Sequence, residues 1–458
     1  MKLQTLFSER RIGSSKIPGG IRSGFQRDYD RLIFSSAFRR LQNKTQVFPL
    51  PGTAFVHNRL THSLEVASVG RSLGKMAGEK IAQQFQPGSD SYEFYKYELP
   101  NVIAAACLAH DIGNPAFGHS GESAISSYFI DHADELIGGR KLKEHFAAAE
   151  WTDLTNFEGN ANAIRVLTHS FRGRFKGGFG LTYTTIASIL KYPCESTGRD
   201  KQFRHRKKYG FFQSEKSLMH DIADCFDLTV EQAEPLVFCR HPFVYLVEAA
   251  DDICYNIVDM EDAQRLGIID RITVEESFMQ IIREVGNDAA EANKVYGYYR
   301  DIQDTNEAIA FLRAKVINVL TVRCAQIFYE HLDAVLAGTF NESLTGIIRA
   351  AGSSLQRVMD ISLKKIYQHE KVIQIEIAGY NVMSELLKQF VPSLLTESRT
   401  AKQDKILKLF PFQFTQFEEE QDSYPRVMNA LDFLSGMTDE YATELYRRLT
   451  GISIPAHR

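Results

Sequence analysis

The sequence predicts an all-α protein, a helical core followed by a further helical region with at most a short β-hairpin. Two observations carry this. Apolar residues recur at three- and four-residue spacing over long stretches, as in Leu64, Leu73, Met76, Ala77 and Ile81 or Phe243, Leu246, Val247, Ala250 and Ile257. Strict alternation, the mark of a half-buried strand, is scarce.

Taken in order, the periodicity places helices at 28–42, 58–84, 100–110, 119–131, 159–170, 183–191, 215–226, 230–235, 241–264, 273–286, 289–337 (with one break), 343–369, 378–390 and 425–449. Gly173, Gly177, Gly178 and Gly180 make the Arg172–Tyr183 stretch a turn or short hairpin. The chain is taken as an N-terminal arm at 1–24, a core at 25–265 and a C-terminal helical region at 266–458 that packs on the core.

With 458 residues, 44% of them hydrophobic and 24% charged, the chain can bury a sizeable core without covalent staples. Cys107, Cys194, Cys225, Cys239, Cys254 and Cys324 show neither paired nor regular spacing, which excludes a zinc ribbon and a disulfide framework. Scattered thiols fit a reducing, cytoplasmic setting. The longest apolar run, Val102–Ala109, is far short of the ~20 residues of a membrane span. A net charge of −4 gives no global attraction for nucleic acid, so any anion site must be local. The densest basic run, RDKQFRHRKK at 199–208, reads first as a solvated loop. Contact with phosphates or single-stranded DNA is its alternative, without interleaved stacking aromatics to support it.

Three segments concentrate the chemistry: HNRLTHSLEV at 57–66, LAHDIGNPAFGHSGE at 108–122 and EAADDICYNIVD at 248–259. Their imidazoles and carboxylates suit a first-row divalent metal or Mg rather than a soft thiolate site. His110 and Asp111 are adjacent near a helix end, where side chains about 100° apart can converge on one ion. The dipeptide alone carries little. Asp251 and Asp252 compete for a further ligand position. Asp251 shares a helix face with Tyr255 and Asp259, at i, i+4 and i+8, which favours it. Arg59 and His62, at i and i+3, would set a guanidinium fork beside the metal, where it suits phosphate oxygens.

The ordered set His62, His110–Asp111 and a distant Asp resembles the HD phosphohydrolase superfamily. FRRLQNKTQVF (38–48), RLTHSLEVA (59–67), LAHDIGNPAFGHSGE, NFEGNAN (156–162), LTYTTIASILKYP (181–193) and RHPFVYLVEAADDICYNIVDMEDA (240–263) resemble the deoxyguanosinetriphosphate triphosphohydrolase family more specifically, across about residues 25–265. The resemblance implies an HD-domain core and metal ligation by His62, His110, Asp111 and Asp251, with Mg or Mn as the divalent ion. It gives His119 and Glu122 to catalysis without ligation. It assigns Lys191 and Tyr192 to the triphosphate, Asn160 to another polar contact, Gln46 and Asp259 to the deoxyribose, and Tyr255 to the floor beneath the sugar. The implied activity is metal-assisted hydrolysis of deoxynucleoside triphosphates, dGTP among them, to a deoxynucleoside and inorganic triphosphate. Arg59 and Lys191 would offset the substrate's charge. The resemblance also implies a homo-oligomer, a hexamer or tetramer, with subunit contacts from the region 266–458. Another HD-type nucleotide phosphodiesterase is the alternative enzyme. A regulatory HD protein that binds single-stranded DNA is the alternative from a different class, and retention of every ligand argues against it.

Overall fold

The computed structural model describes residues 1–14, 20–48, 56–174 and 176–453. Helix dominates it, and the described strands form two small antiparallel pairs, Leu136–Ile137 with Arg140–Lys141 and Val230–Gln232 with Val237–Phe238. The all-α expectation is therefore met, with two hairpins in place of at most one. Neither is where the glycines of 172–183 placed it: the described part of that stretch is turn, followed by the start of the helix Tyr183–Ile189. The expected helix at 230–235 is also wrong. Val230–Gln232 is too short to nucleate a helix on its own, and pairing with 237–238 takes its backbone hydrogen bonds instead.

The centre is a packed pair of helices. Arg59–Ala82 starts on Asn58, whose side chain accepts from the Thr61 N–H while Thr61 reciprocates, a capping box. Leu99–Ala109 is built of small and apolar residues, nearly all fully buried, with Pro100 in its first turn. Gly70, Gly74 and Gly78 face this second helix and the turn before it. A Cβ at any of them would overlap Cys107, Pro100 or Tyr95, so the glycine row lets the two helices approach closely. The helix Val244–Arg265 lies across both and is buried over most of its length.

Longer expected helices are cut by caps. The 289–337 stretch breaks twice, into Ala289–Arg300, Thr305–Glu330 and Leu332–Ala337, where one break was expected. The 425–449 stretch becomes Ser423–Ser435 and Asp439–Leu449, and 343–369 becomes Leu344–Ala351, Ser354–Ile361 and a π-turn at Ser362–Ile366. Ala148–Thr155 and Ala401–Leu407 are helices that the periodicity did not reveal.

Two apolar clusters form. One runs from the N-terminal arm through the central helices to Val372. The other joins residues 116–237 to 382–445, so the C-terminal segment completes a core begun much earlier in the chain. The arm is fastened too. Arg11 is buried against Asp28 at 2.7 Å, and the Met1 amine donates to the Leu336 carbonyl. No described helix is long and apolar enough to cross a membrane.

Candidate active site

The close approach of the two central helices brings His62 and His110 together with ring centroids 5.4 Å apart. Asp251, from the third helix, reaches both: its Oδ1 is 3.3 Å from His62 Nε2 and 3.5 Å from His110 Nε2. These three offer ligand atoms within 4.8 Å of one another, the one such group among the described residues. The fourth expected ligand, Asp111, adjoins it, with Oδ1 3.6 Å from His110 Nε2. Its oxygens accept from Arg59 Nη1 at 2.7 Å and Asn114 Nδ2 at 2.6 Å.

A divalent metal fits these residues on one specific observation. His110 Nδ1 lies 2.6 Å from the Cys107 carbonyl, which makes it the N–H and leaves the lone pair on Nε2. That Nε2 is buried and has no hydrogen-bond partner. The surrounding field is negative. Burial opposes charge on His110, yet Asp111 and Asp251 outweigh it and pull the imidazole pKa up to about 9, so the lone pair on Nε2 becomes available as a cation displaces the proton there. Burial would raise Asp251, but His110 and His62 hold it well below the usual carboxylate range. Such carboxylates stay ionised and ready to bind a cation.

Asp252 also lines the pocket around this group but is bound on its far side. Its Oδ2 accepts from the Thr345 hydroxyl on a C-terminal helix, and burial raises its pKa. The i, i+4 geometry that favoured Asp251 thus agrees with the placement of both aspartates.

Around the metal group lies a pocket lined by ten of the thirteen residues expected from the sequence: Gln46, Arg59, His110, Asp111, His119, Asn160, Lys191, Tyr192, Asp251 and Tyr255. Gln46 Oε1 is a buried acceptor without a partner. His62 sits behind the lining, 2% exposed. Glu122 stands behind His119. Its Oε2 is 2.7 Å from His119 Nδ1 and its Oε1 accepts the Gly159 N–H at 2.8 Å. This clamp leaves His119 Nε2 as the ring atom free for chemistry. The Glu122 hydrogen bond and charge raise the His119 pKa. Burial would raise Glu122, but His119 and Lys208 keep it lowered.

Asp259 is not in the pocket lining. It is buried one helical turn beyond Tyr255 and accepts from the Tyr367 hydroxyl at 2.7 Å. Burial pushes its pKa up to about 8. Tyr367, set by the π-turn at 362–366, stacks on Tyr255 with ring centroids 5.6 Å apart. Sequence reasoning missed Tyr367, and no local signal marks it.

The basic run 199–208 is the larger surprise. It is not a solvated loop throughout, because Lys207 and Lys208 line the pocket. Arg204 pairs with the buried Glu248 at 3.1 Å, which also holds Arg240 at 3.1 Å and lies 3.7 Å from Lys191. Lys208 pairs with Glu158 at 2.9 Å. Lys207 has no carboxylate at ion-pair distance among the described residues, and burial lowers its pKa. Asn114, Glu248, Lys207 and Lys208 are pocket residues that the sequence reading did not name. Charge density at 199–208 was the available signal for the two lysines.

The HD domain family matches residues 59–193, which carry His62, His110 and Asp111 but not Asp251. The phosphohydrolase-associated domain matches residues 348–448, within the C-terminal region. A deoxyguanosinetriphosphate triphosphohydrolase-like protein of Synechocystis sp. is 38% identical, covering 99% of this chain and 100% of the relative. One of Pseudomonas aeruginosa is 38% identical over 100% of each. A deoxyguanosinetriphosphate triphosphohydrolase of Yersinia enterocolitica is 32% identical over 93% of each. With a fold of the expected class and identity spread along its full length, the chain belongs to the deoxyguanosinetriphosphate triphosphohydrolase-like family of HD-domain hydrolases.

Proposed function

We propose that the protein hydrolyses deoxynucleoside triphosphates, dGTP among them, to a deoxynucleoside and inorganic triphosphate. The observation that carries this reading is one pocket combining the His62–His110–Asp251 group, the His119–Glu122 pair and the cations Arg59, Lys191, Lys207 and Lys208. The relatives' names support it.

A divalent ion, Mg or Mn, held by His62, His110 and Asp251 with Asp111 adjoining would supply Lewis-acid charge at the phosphoryl group under attack. The chain's own residues do the rest. Arg59 and Lys191 offset charge on the phosphates, with Lys207, Lys208, Tyr192 and Asn160 extending that surface. Water adds to the α-phosphorus as the bond to the 5′-oxygen breaks. His119 Nε2 delivers the proton that the departing 5′-oxygen needs, while Glu122 holds the ring at Nδ1. Tyr255, backed by Tyr367, forms an aromatic wall against the sugar. Gln46 offers its unpartnered oxygen to a sugar hydroxyl. Asp259, behind that wall, accepts from the Tyr367 hydroxyl and so positions the aromatic pair without touching the sugar.

We assign the arm to 1–24, the catalytic core to 25–265, and packing and oligomer contacts, in a hexamer or tetramer, to 266–458. The protein is assigned to the cytoplasm. Single-stranded DNA is the less supported partner for the run 199–208, since Arg204 and Lys208 are already paired with carboxylates.

The experiment is incubation with each dNTP and Mg or Mn, with products resolved by ³¹P NMR. Unbroken tripolyphosphate is the expected product. Pyrophosphate with a nucleoside monophosphate would instead assign the site to another HD-type phosphodiesterase.

A further inference from the structure

Glu248 lines the candidate active site among cations suited to phosphate. A carboxylate on the wall of an anion pocket repels the ligand, so its presence there calls for a reason. Its neighbours supply one. Glu248 is 2% exposed, and cations occupy both of its oxygens. Oε1 accepts from Arg204 Nη2 at 3.1 Å and lies 3.7 Å from Lys191 Nζ, while Oε2 accepts from Arg240 Nη1 at 3.1 Å. Burial would raise its pKa, but Arg240, Lys191 and Arg204 hold the carboxyl well below the usual range. Neither arginine lines the pocket, so both act behind the surface that a substrate would meet.

The segments that carry the pocket's lysines have little regular structure to hold them. The helix Tyr183–Ile189 has ended before Lys191. Arg204–Arg206 is a single 3-10 turn, and Lys207 and Lys208 follow it. Glu248, by contrast, stands on the long buried helix Val244–Arg265, one turn before Asp251. It ties both segments to that helix. Arg240 completes the first tie, because its Nε donates to the Lys191 carbonyl at 2.9 Å while its Nη1 holds Glu248. Arg204 makes the second, and Lys208 secures the far end of its segment on Glu158 at 2.9 Å. Lys207 lines the pocket between these two anchors.

We propose, on the triphosphate reading of this pocket, that Glu248 is a positioning residue for the reaction. It fixes Lys191 and the segment 204–208 to the helix that carries Asp251. It thereby sets the spacing between the metal group and the cations that grip the polyphosphate. Cations held in place beforehand bind an anion without the entropy loss of ordering long side chains during binding. A shorter carboxylate at 248 would keep the charge and lose the tie.

The test is calorimetric titration of inorganic tripolyphosphate into the full-length protein with saturating Mn, beside metal analysis and thermal unfolding. Glu248→Asp keeps the charge and shortens the reach. Glu248→Gln keeps the shape and removes the charge. Both are expected to weaken tripolyphosphate binding by about tenfold or more, the size of one lost charge-assisted contact, with metal content unchanged. Arg204→Gln should weaken it too. Arg206→Gln removes the same charge two residues on, from a side chain bonded to Gly198 and Gln232, and should bind as the parent does. This arginine pair decides the matter if neither Glu248 variant folds. Tighter binding in Glu248→Gln with no change in Glu248→Asp would make Glu248 a charge alone and overturn the proposal. So would a lower Tm at parental affinity, joint loss of metal and affinity, equal loss in the two arginine variants, or a parent that does not bind tripolyphosphate. The reaction itself is judged separately by its products: a parent that releases pyrophosphate overturns the triphosphohydrolase reading, while weakened tripolyphosphate binding in the variants still upholds the role of Glu248.

Discussion

Asp252 accepts the Thr345 hydroxyl at 2.5 Å, while Asp251, its neighbour in sequence, turns its Oδ1 to within 3.5 Å of both histidines. Two consecutive carboxylates on one helix therefore make different contacts, Asp251 with both histidines and Asp252 with the C-terminal region. Asp251→Ala is expected to abolish turnover and strip bound metal. Asp252→Ala should keep most metal and lose on the order of 1–3 kcal/mol of stability, since it leaves the buried Thr345 hydroxyl unpaired. Elemental analysis beside thermal unfolding checks this, and equal metal loss in both variants would contradict the assignment.

His119→Ala should retain metal and substrate affinity while kcat drops by ~10²–10⁴-fold, the usual contribution of a general acid. Steady-state kinetics with metal analysis on one preparation separates this from ligation, in which metal and activity would fall together.

Glu122→Gln should move the pH profile. The carboxylate raises the His119 pKa, so His119 stays protonated to higher pH than a free imidazole. An enzyme that needs the protonated form loses activity as pH rises through that pKa. Removing the charge lowers the pKa, so the alkaline limb of kcat should shift toward acid. An unmoved limb would show that another group donates the proton.

Arg165 lies 2% exposed between Asp432 and Glu215, at 2.8 and 3.1 Å. Arg165→Met should cost about 3–5 kcal/mol, because it strands two buried carboxylates. The double variant Asp432→Leu with Arg165→Met should recover part of that loss. Chemical denaturation of the two variants measures it.

Burial raises the Asp153 pKa to about 7, although its Oδ2 accepts from the Gln213 N–H and the Tyr424 hydroxyl. The folded protein thus holds a proton that the unfolded chain releases near pH 4. The stability this group contributes is fully present below about pH 4 and is lost progressively as pH rises from there through about 7. Asp153→Asn keeps the acceptor without the charge. It should match the parent only below about pH 4, and its advantage should grow between pH 5 and pH 8 by on the order of 1 kcal/mol or more. Equal stability at both pH values would show that Asp153 is ionised throughout.

The site was legible where its chemistry is local. His62, His110, Asp111, His119 and Glu122 sit in short motifs whose spacing on helices fixes their direction, and Asp251 follows from the face it shares with Tyr255. Asp259 shares that spacing but lies below the lining, because the aromatic pair of Tyr255 and Tyr367 covers it. Tyr367 could not be foreseen, since a π-turn over a hundred residues away sets its direction. Lys208 and Arg204 looked solvated because a charge run carries no record of the buried carboxylates, Glu158 and Glu248, that pair with them, whereas Lys207 lines the pocket and stays exposed. The helical class was plain from periodicity. Helix ends at Gly352 and Gly436, and the strand at 230–232, depended on caps and pairing that a periodic signal averages away.

Phe117 takes a left-handed backbone with φ of 62°, a conformation that a bulky residue holds only under outside constraint. Asp439 provides it, with one carboxylate oxygen on the Phe117 N–H and the other on the Thr45 N–H. The loop leading into His119 and the turn leading into Gln46 are thus both tied to Asp439 in the C-terminal region. During synthesis from the N-terminus, every metal-group residue has emerged long before Asp439 does. A chain synthesised only as far as residue 438 therefore lacks the tie that fixes both segments at the edge of the pocket.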